Sequence, residues 1–145
     1  MVRAIMHGCN GHMGQVITGL IKADEGIELV AGIDKYTGIA NDYPVFESLE
    51  KCDVEADVII DFSNAAAADA LLTYCEEKKM PVVLCTTGLS EEQLAKIPEA
   101  AKKTAVLKSA NMSLGINLLM KLLKEATKVL APAGYDMEIV EKHHN

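Results

Sequence analysis

Three glycines near the N-terminus are spaced as in a loop that cradles a phosphate group. Gly8, Gly11 and Gly14 follow a short apolar run, and helical periodicity resumes after them. Glycine lets the backbone turn sharply and approach a pyrophosphate, while the N–H groups and positive dipole end of the following helix attract the anion. The second glycine comes three positions after the first, whereas the commonest dinucleotide fingerprint has it two positions after. On this motif alone, an ordinary tight turn is an alternative.

A carboxylate stands where a dinucleotide-binding unit needs one. Asp34 ends the alternating segment from Glu28 to Ile33 and lies twenty residues after Gly14. At the tip of a second strand, such a side chain accepts hydrogen bonds from the adenosine ribose hydroxyls. A carboxylate that only caps the loop is the alternative for Asp34. Asp34 favours the free 2′-hydroxyl of NADH and repels a 2′-phosphate, whereas the adjacent Lys35 could neutralise that phosphate. We therefore expect NADH to be preferred and NADPH to be tolerated.

Small polar residues follow several later apolar runs. In a doubly wound sheet the ligand lies beyond the carboxyl ends of the strands, so these residues are further candidates for cofactor contacts. Hydroxyl, amide and glycine groups can hydrogen-bond a ribose and a nicotinamide carboxamide without crowding them. The candidates are Phe62, Ser63, Thr86, Thr87, Gly88, Ala110, Asn111 and Met112, with Cys9, Asn10, His12 and Met13 in the glycine loop itself. A helix N-cap is the alternative for Ser63 and Ser113, and it is the preferred interpretation for Ser90.

The hydrophobic pattern predicts the elements that position these candidates. Strands alternate with helices in the order βαβαβαβ, which is typical of a parallel sheet with crossover helices. The predicted strands end before Gly8 and cover residues 28–34, 58–62, 82–85, 105–107 and 137–141, and residues 35–46 are predicted to be a polar connection. The predicted helices cover residues 11–23 and 65–79, a segment capped at Ser90, and a longer stretch from Ser113 to Pro132. We expect an α/β fold, a Rossmann-like doubly wound parallel sheet with helices on both faces.

Composition limits the class of protein. The 145 residues match about one compact domain, and they can bury roughly two-thirds of the surface of the unfolded chain. A net charge of −7 with scattered Lys and Arg argues against a nucleic-acid or anionic-membrane surface. The four cysteines form no Cys-x-x-Cys pair, so we expect reduced thiols and no metal site. Neither a signal peptide nor a membrane-spanning run is present, and we expect a cytoplasmic protein.

Five motifs in the same order resemble the nucleotide-binding N-terminal part of the dihydrodipicolinate reductase family, and the resemblance spans the whole chain. They are Gly8-x-x-Gly11-His12-Met13-Gly14, Asp61-Phe62-Ser63, Thr86-Thr87-Gly88, Ala110-Asn111-Met112-Ser113 with Gly115 and Asn117, and Glu141-Lys142-His143-His144. The resemblance implies an oxidoreductase that reduces 4-hydroxy-tetrahydrodipicolinate to tetrahydrodipicolinate with NADH or NADPH, in the diaminopimelate route to lysine. It also implies a homotetramer for full-length members.

The resemblance also implies roles for the histidines. His143 corresponds to the family's proposed general acid, and His144 to a neighbour that helps hold the dicarboxylate substrate. Imidazole suits a proton donor because it titrates near working pH. Adjacent histidines on a strand point to opposite faces, which disfavours a metal site, and solvated residues at a chain end are a further alternative. His12 stands where the family often carries Arg, so a weaker, pH-dependent phosphate contact is expected, whereas His7 is expected at the sheet surface.

Family members continue beyond the histidine pair, whereas this sequence ends at Asn145. Their next segments include a Lys and an Asp-x-Pro-Ser-Gly-Thr stretch that grip the substrate carboxylates, in a second domain that also builds the tetramer. We expect residues 1–130 to form the dinucleotide-binding domain and residues 131–145 to begin the crossover to that second domain. The chain alone is then expected to bind dinucleotide with little or no turnover.

Two other functions are compatible with the sequence. One is a non-catalytic dinucleotide-binding sensor module. The other is a different Rossmann oxidoreductase, for example one that acts on a semialdehyde through a nucleophilic Cys at a strand end. Cys85 holds such a position, but we expect it to be a buried apolar residue.

Overall fold

The computed structural model describes residues 1–140 and 142, and within them the strands form one six-stranded parallel sheet. In chain order the elements are β1 (Val2–His7), α1 (His12–Ile21), β2 (Ile27–Ile33), β3 (Val45–Phe46), β4 (Val58–Asp61), α2 (Ala68–Lys78), β5 (Val82–Leu84), α3 (Glu91–Ala100), β6 (Val106–Lys108) and α4 (Leu114–Leu130). The strand order is β3-β2-β1-β4-β5-β6, so the direction of winding reverses between β1 and β4. Such a switch point opens a crevice at the carboxyl ends of the strands.

Helices cover both faces of the sheet. Ile5 and Met6 are neighbours on β1, so their side chains point to opposite faces. Ile5 belongs to a core cluster with Leu71 of α2 and Ala100 of α3. Met6 belongs to a second cluster, against which Ile17 of α1 packs. The predicted Rossmann-like fold is therefore confirmed.

The central strands are apolar because both of their faces are covered. Ile5, Ile59 and Leu84, on three neighbouring strands, are fully buried. Burying one such side chain contributes about 1.5–3 kcal/mol to stability. This packing fixes the carboxyl ends of β1, β4 and β5 relative to one another, and the loops that follow these ends form the candidate site.

Two element predictions differ from the structure. The predicted polar connection 35–46 ends in the edge strand β3, whose two residues pair with Gly32 and Ile33 of β2. Two residues are too few to show a hydrophobic period, so no pattern marked this strand. Residues 137–140 form no strand within the described part of the chain. An extended segment becomes a strand only when a neighbouring strand pairs with its N–H and C=O groups.

The chain divides into two compact units, residues 1–110 and residues 111–145. The first unit holds the sheet and α1 to α3, and the second holds α4. The hydroxyl of Ser113 caps α4 by accepting from the Ile116 N–H at 3.3 Å. The predicted domain boundary at residue 130 stays a prediction. In the described part of the chain, no helix is long and apolar enough to cross a membrane.

Candidate nucleotide-binding site

The loop between β1 and α1 has a geometry that only glycine fits. Gly8 has a φ of +80°, in the left-handed region that glycine adopts without strain. A Cβ on Gly14 would lie 2.2 Å from the carbonyl oxygen of Gly8, and a Cβ on Gly8 would lie 2.6 Å from that of Phe62. A larger residue at either position would force the backbone to move. The loop therefore packs backbone against backbone, as a phosphate cradle requires.

The N-terminus of α1 follows this loop directly. Gly11 precedes the helix, and its N–H donates to the Gly8 carbonyl at 3.1 Å. No side chain in the described part of the chain caps α1. The first N–H groups of the helix, with the positive end of its dipole, are therefore available to an anion.

Asp34 follows β2 and contacts the glycine loop. Its Oδ2 accepts from the Asn10 backbone N–H at 3.0 Å, and its Oδ1 accepts from the Tyr36 N–H at 3.0 Å. An ionised carboxylate has about four acceptor positions, so two stay available for ribose hydroxyls. Asp34 thus anchors the loop and can still bind a sugar.

A cavity of about 410 Å³ lies beside the switch point, within the size range of small-molecule sites. The predicted cofactor residues that line it are Gly8, Gly11, Asp34, Lys35, Phe62 and Ser63. Glu47 and Glu50, from the segment after β3, line the same cavity. The described residues that line the cavity therefore include three carboxylates, Asp34, Glu47 and Glu50, and one lysine, Lys35.

Other predicted residues of the glycine loop do not line this cavity. Cys9 is fully buried under the loop, and burial, helped by the Asp34 charge, raises the pKa of its thiol to about 11. Its side chain cannot reach a ligand, so the predicted contact of Cys9 can come only from its backbone. His12 and Met13 are exposed at the start of α1. The side-chain amide of Asn10 donates to the Tyr36 carbonyl, at 2.5 Å.

The remaining predicted residues lie at later strand ends. Thr87 and Gly88 follow β5 and are exposed. Ala110 ends the first unit, and Asn111 and Met112 begin the second. The side-chain oxygen of Asn111 accepts from the Ser113 N–H at 2.7 Å, so this residue supports the start of α4.

The predicted catalytic and substrate residues, His143 and His144, lie outside the described residues. Their predicted roles stay predictions. Within the described residues, no group of three His, Cys, Asp or Glu side chains could hold a metal ion.

A buried polar cluster, which we define as His7, Asp61, Ser63 and Thr86, joins the ends of β1, β4 and β5. The parallel register sets His7 directly beside Asp61. Asp61 is 0% exposed, and it accepts from Ser63 Oγ at 2.6 Å and from Thr86 Oγ1 at 2.7 Å. His7 Nδ1 lies 2.8 Å from Asp61 Oδ1, a close contact whose alignment falls short of a hydrogen bond.

Asp61 is charged although it is buried. Burial by itself raises the pKa of this carboxyl, but His7 and the hydroxyls of Ser63 and Thr86 outweigh burial and hold the pKa below its usual value. The hydroxyl of Thr86 is thereby engaged, and the residue is only 3% exposed. Its predicted cofactor contact through that hydroxyl is disfavoured.

The expectation that His7 faces the sheet surface is wrong, because the residue is 8% exposed and contacts Asp61. Sequence reasoning also gave no role to Asp61. The available signal was that the strands of His7 and Asp61 each end in a polar residue, just before a loop of small residues. The register that pairs these ends is a tertiary feature, so the sequence alone did not reveal the contact.

The structure confirms the expectation that Cys85 is a buried residue. It is 5% exposed, and burial, followed by the charge of Asp61, raises the pKa of its thiol to about 11. A catalytic cysteine needs a low pKa and access to substrate. The structure thus gives no support to an oxidoreductase that uses Cys85 as its nucleophile.

The strand order and the glycine loop define the class: this is a Rossmann-type domain of the kind found in nucleotide-dependent dehydrogenases. The family model described as "Dihydrodipicolinate reductase, N-terminus" matches residues 2–112. The chain belongs to this family, which confirms the predicted resemblance.

Curated relatives match along the whole chain. The 4-hydroxy-tetrahydrodipicolinate reductase of Clostridium novyi (strain NT) is 50% identical over 145 residues, which are 100% of this chain and 57% of that protein. The reductase of the same name from Caldanaerobacter subterraneus subsp. tengcongensis is 52% identical over 145 residues, again 57% of its length. The chain thus spans a little over half the length of these relatives.

Solved structures share the fold. A dipicolinate-bound dihydrodipicolinate reductase from Paenisporosarcina sp. TG-14 superposes with a TM-score of 0.79 at 26% identity, covering 89% of this chain and 54% of that one. The WlbA dehydrogenase from Chromobactrium violaceum, in complex with NADH and UDP-GlcNAcA, has a TM-score of 0.68 at 19% identity, covering 88% of this chain and 39% of that one. The second likeness shows the fold alone.

Proposed function

We propose that this chain is the NADH-binding part of a reductase that converts 4-hydroxy-tetrahydrodipicolinate to tetrahydrodipicolinate. The names of relatives 50% and 52% identical over the whole chain support the reaction. The glycine cradle in front of an uncapped helix is the observation that carries nucleotide binding. Bound NADH or NADPH would supply the hydride, and residues of this chain would bind and orient it.

The residues present fit a dinucleotide. Gly8 and Gly14 leave no room for a Cβ, so the loop presents bare backbone to a pyrophosphate. The start of α1 offers N–H donors to the same group. Asp34 is proposed to bind the adenosine ribose, while Thr87 and Gly88 are proposed to contact the nicotinamide half.

The preference for NADH is part of the proposal. Asp34, Glu47 and Glu50 line the cavity, against the single described lysine there, Lys35. A 2′-phosphate would bring further negative charge among these carboxylates, and like charges repel. NADPH is therefore expected to bind more weakly than NADH.

His143 is proposed as the general acid and His144 as a residue that holds the dicarboxylate substrate. Imidazole can donate a proton near neutral pH. The chain matches 57% of the length of its relatives, and the proposal assigns the other substrate contacts and the homotetramer contacts to the unmatched part. A cytoplasmic location belongs to the same proposal.

The test adds NADH and 4-hydroxy-tetrahydrodipicolinate to the chain and follows both NADH fluorescence and NADH consumption. We expect saturable NADH binding, with turnover far below the median of about 10 per second for enzymes. Absence of NADH binding would refute the nucleotide assignment. Turnover near that median would refute the assignment of substrate contacts to the unmatched part.

A His143→Ala variant separates catalysis from sensing. The proposal expects this variant to lose the residual turnover and to keep its NADH affinity, because the residue acts on the substrate. Residual turnover equal to that of the unmodified chain would show that His143 is not the general acid. A non-catalytic sensor module predicts NADH binding with no turnover in either protein.

A further inference from the structure

We infer that His7 is a further nucleotide-binding side chain, oriented by Asp61, and that its protonation strengthens dinucleotide binding in the glycine cradle. This inference rests on the proposed function, because it names a residue of the same site. Neither His7 nor Asp61 is among the cofactor residues predicted from the sequence.

The position of His7 connects the buried cluster to the cradle. His7 immediately precedes Gly8, and both residues line the cavity. The Nδ1 atom is buried against Asp61, whereas the side chain as a whole is 10% exposed. The exposed part therefore belongs to other atoms of the side chain, and because His7 lines the cavity, this is where it is inferred to contact a ligand.

Among the described residues around the imidazole, the buried charge is Asp61 of β4. Asp61 also accepts from the hydroxyls of Ser63 and Thr86 and from the Ser63 N–H. Two buried thiols near Asp61 stay protonated, because burial raises the pKa of Cys75 to about 12 and that of Cys85 to about 11. A protonated His7 would thus form an ion pair with Asp61 and add positive charge at the cavity wall.

The charged groups on the cavity side are Asp34, Lys35, Glu47 and Glu50. A pyrophosphate is an anion, and a charged donor beside it makes a stronger hydrogen bond than a neutral one. Protonation of His7 is therefore expected to tighten binding, and deprotonation to weaken it.

The test is a fluorescence titration of NADH at several values between about pH 6 and pH 8.5, with circular dichroism recorded at each pH. We expect the affinity of the unmodified chain to fall roughly fivefold across this range. His7→Gln should bind weakly and with no dependence on pH. His12→Gln tests the competing source of a pH dependence, because His12 is the exposed histidine of the same loop and was itself expected to make a pH-dependent phosphate contact. If His7 is the source, the dependence should persist in His12→Gln.

Asp61→Asn tests the orienting role of the carboxylate. Asparagine keeps the size of this side chain and removes the anion beside His7, so the fall in NADH affinity with rising pH should become smaller. A loss of packing alone would lower the affinity by the same factor at every pH. A pH dependence equal to that of the unmodified chain in folded Asp61→Asn would remove Asp61 from the inference.

The outcomes separate this inference from the proposed function. NADH binding that does not depend on pH, or a dependence that survives His7→Gln and disappears in His12→Gln, overturns the role of His7 and leaves the proposed function intact. Failure of NADH to bind at any pH refutes both.

Discussion

Asp34 has two roles at the scale of a single residue. Its carboxylate accepts hydrogen bonds from the Asn10 and Tyr36 N–H groups. The same carboxylate is proposed to favour a ribose that carries no 2′-phosphate. Asp34→Ser removes the charge and one loop anchor together. We therefore expect both NADH and NADPH to bind more weakly, while the ratio of their affinities moves toward NADPH by roughly tenfold.

Paired titrations with the two cofactors measure this ratio. Asp42→Ser is a suitable control, because Asp42 is an exposed carboxylate that pairs with Lys22 and does not line the cavity. The control should leave the ratio unchanged. An unchanged ratio in Asp34→Ser would show that Asp34 does not contact the ribose.

Asp61 makes the stability of the fold depend on pH. Its pKa in the fold lies below the ordinary value of 3.8, so its charge stabilises the fold fully above that value, and this contribution is lost as the pH falls through the folded pKa. Urea unfolding between about pH 6 and pH 2 should therefore lose less stability on acidification in Asp61→Asn than in the unmodified chain. Parallel pH profiles would contradict this account.

The placement of residues could be predicted from the sequence where the signal was local. Gly8, Gly14 and Asp34 have the predicted places in the structure, because glycine spacing and a strand-end carboxylate are visible within a short segment. The contact between His7 and Asp61 depends on the pairing of β1 with β4. No short-range pattern encodes that register, so this contact could not be predicted.

At the scale of elements, side-chain caps define the starts of α3 and α4. Ser90 accepts from the Gln93 N–H at 3.2 Å, and the Gln93 side chain accepts from the Ser90 N–H at 3.0 Å, which completes a capping box at α3. Ser90→Ala should lower the free energy of unfolding by about 1 kcal/mol, measured by urea unfolding. Ser90→Asp keeps an acceptor and should lose much less, and an equal loss in both variants would argue against the cap.

The same local chemistry explains which elements were predictable. The caps Ser90 and Ser113 were visible in the sequence, since side-chain type and helical periodicity occur together there. The edge strand β3 was not visible in the sequence. Val45 and Phe46 form a strand because they pair with β2, and these two residues show no hydrophobic pattern.

At the scale of the whole molecule, the strand order brings separate loops together to form one site. The loops after β1, β2 and β4 meet at the switch point, and they supply Gly8, Asp34 and Ser63 to one cavity. Alternation of strands and helices predicted the fold class. The order of the strands and the shape of the cavity depend on long-range packing and had to be seen in the structure.

Ligand binding should raise the thermal stability of the folded chain. A ligand that binds only the folded state at 100 times its Kd adds about 2.7 kcal/mol, which corresponds to a rise in Tm of roughly 5–10 °C for a chain of this length. NADH should produce such a rise in thermal unfolding, and adenosine, which lacks the pyrophosphate, should produce a smaller one at equal concentration. Equal shifts would indicate that the cradle holds no phosphate.

The central claim is that the loop of Gly8 and Gly14 holds a dinucleotide, and a matched pair of alanine variants in α1 tests it most directly. A Cβ at Gly14 would lie 2.2 Å from the Gly8 carbonyl oxygen, whereas a Cβ at Gly19 would meet no atom within 4 Å. In NADH fluorescence titrations, we expect Gly19→Ala to bind like the unmodified chain and Gly14→Ala to lose more than roughly tenfold in affinity while circular dichroism shows a folded protein. Equal affinities for all three folded proteins, or no NADH binding by the folded, unmodified chain, would contradict the account.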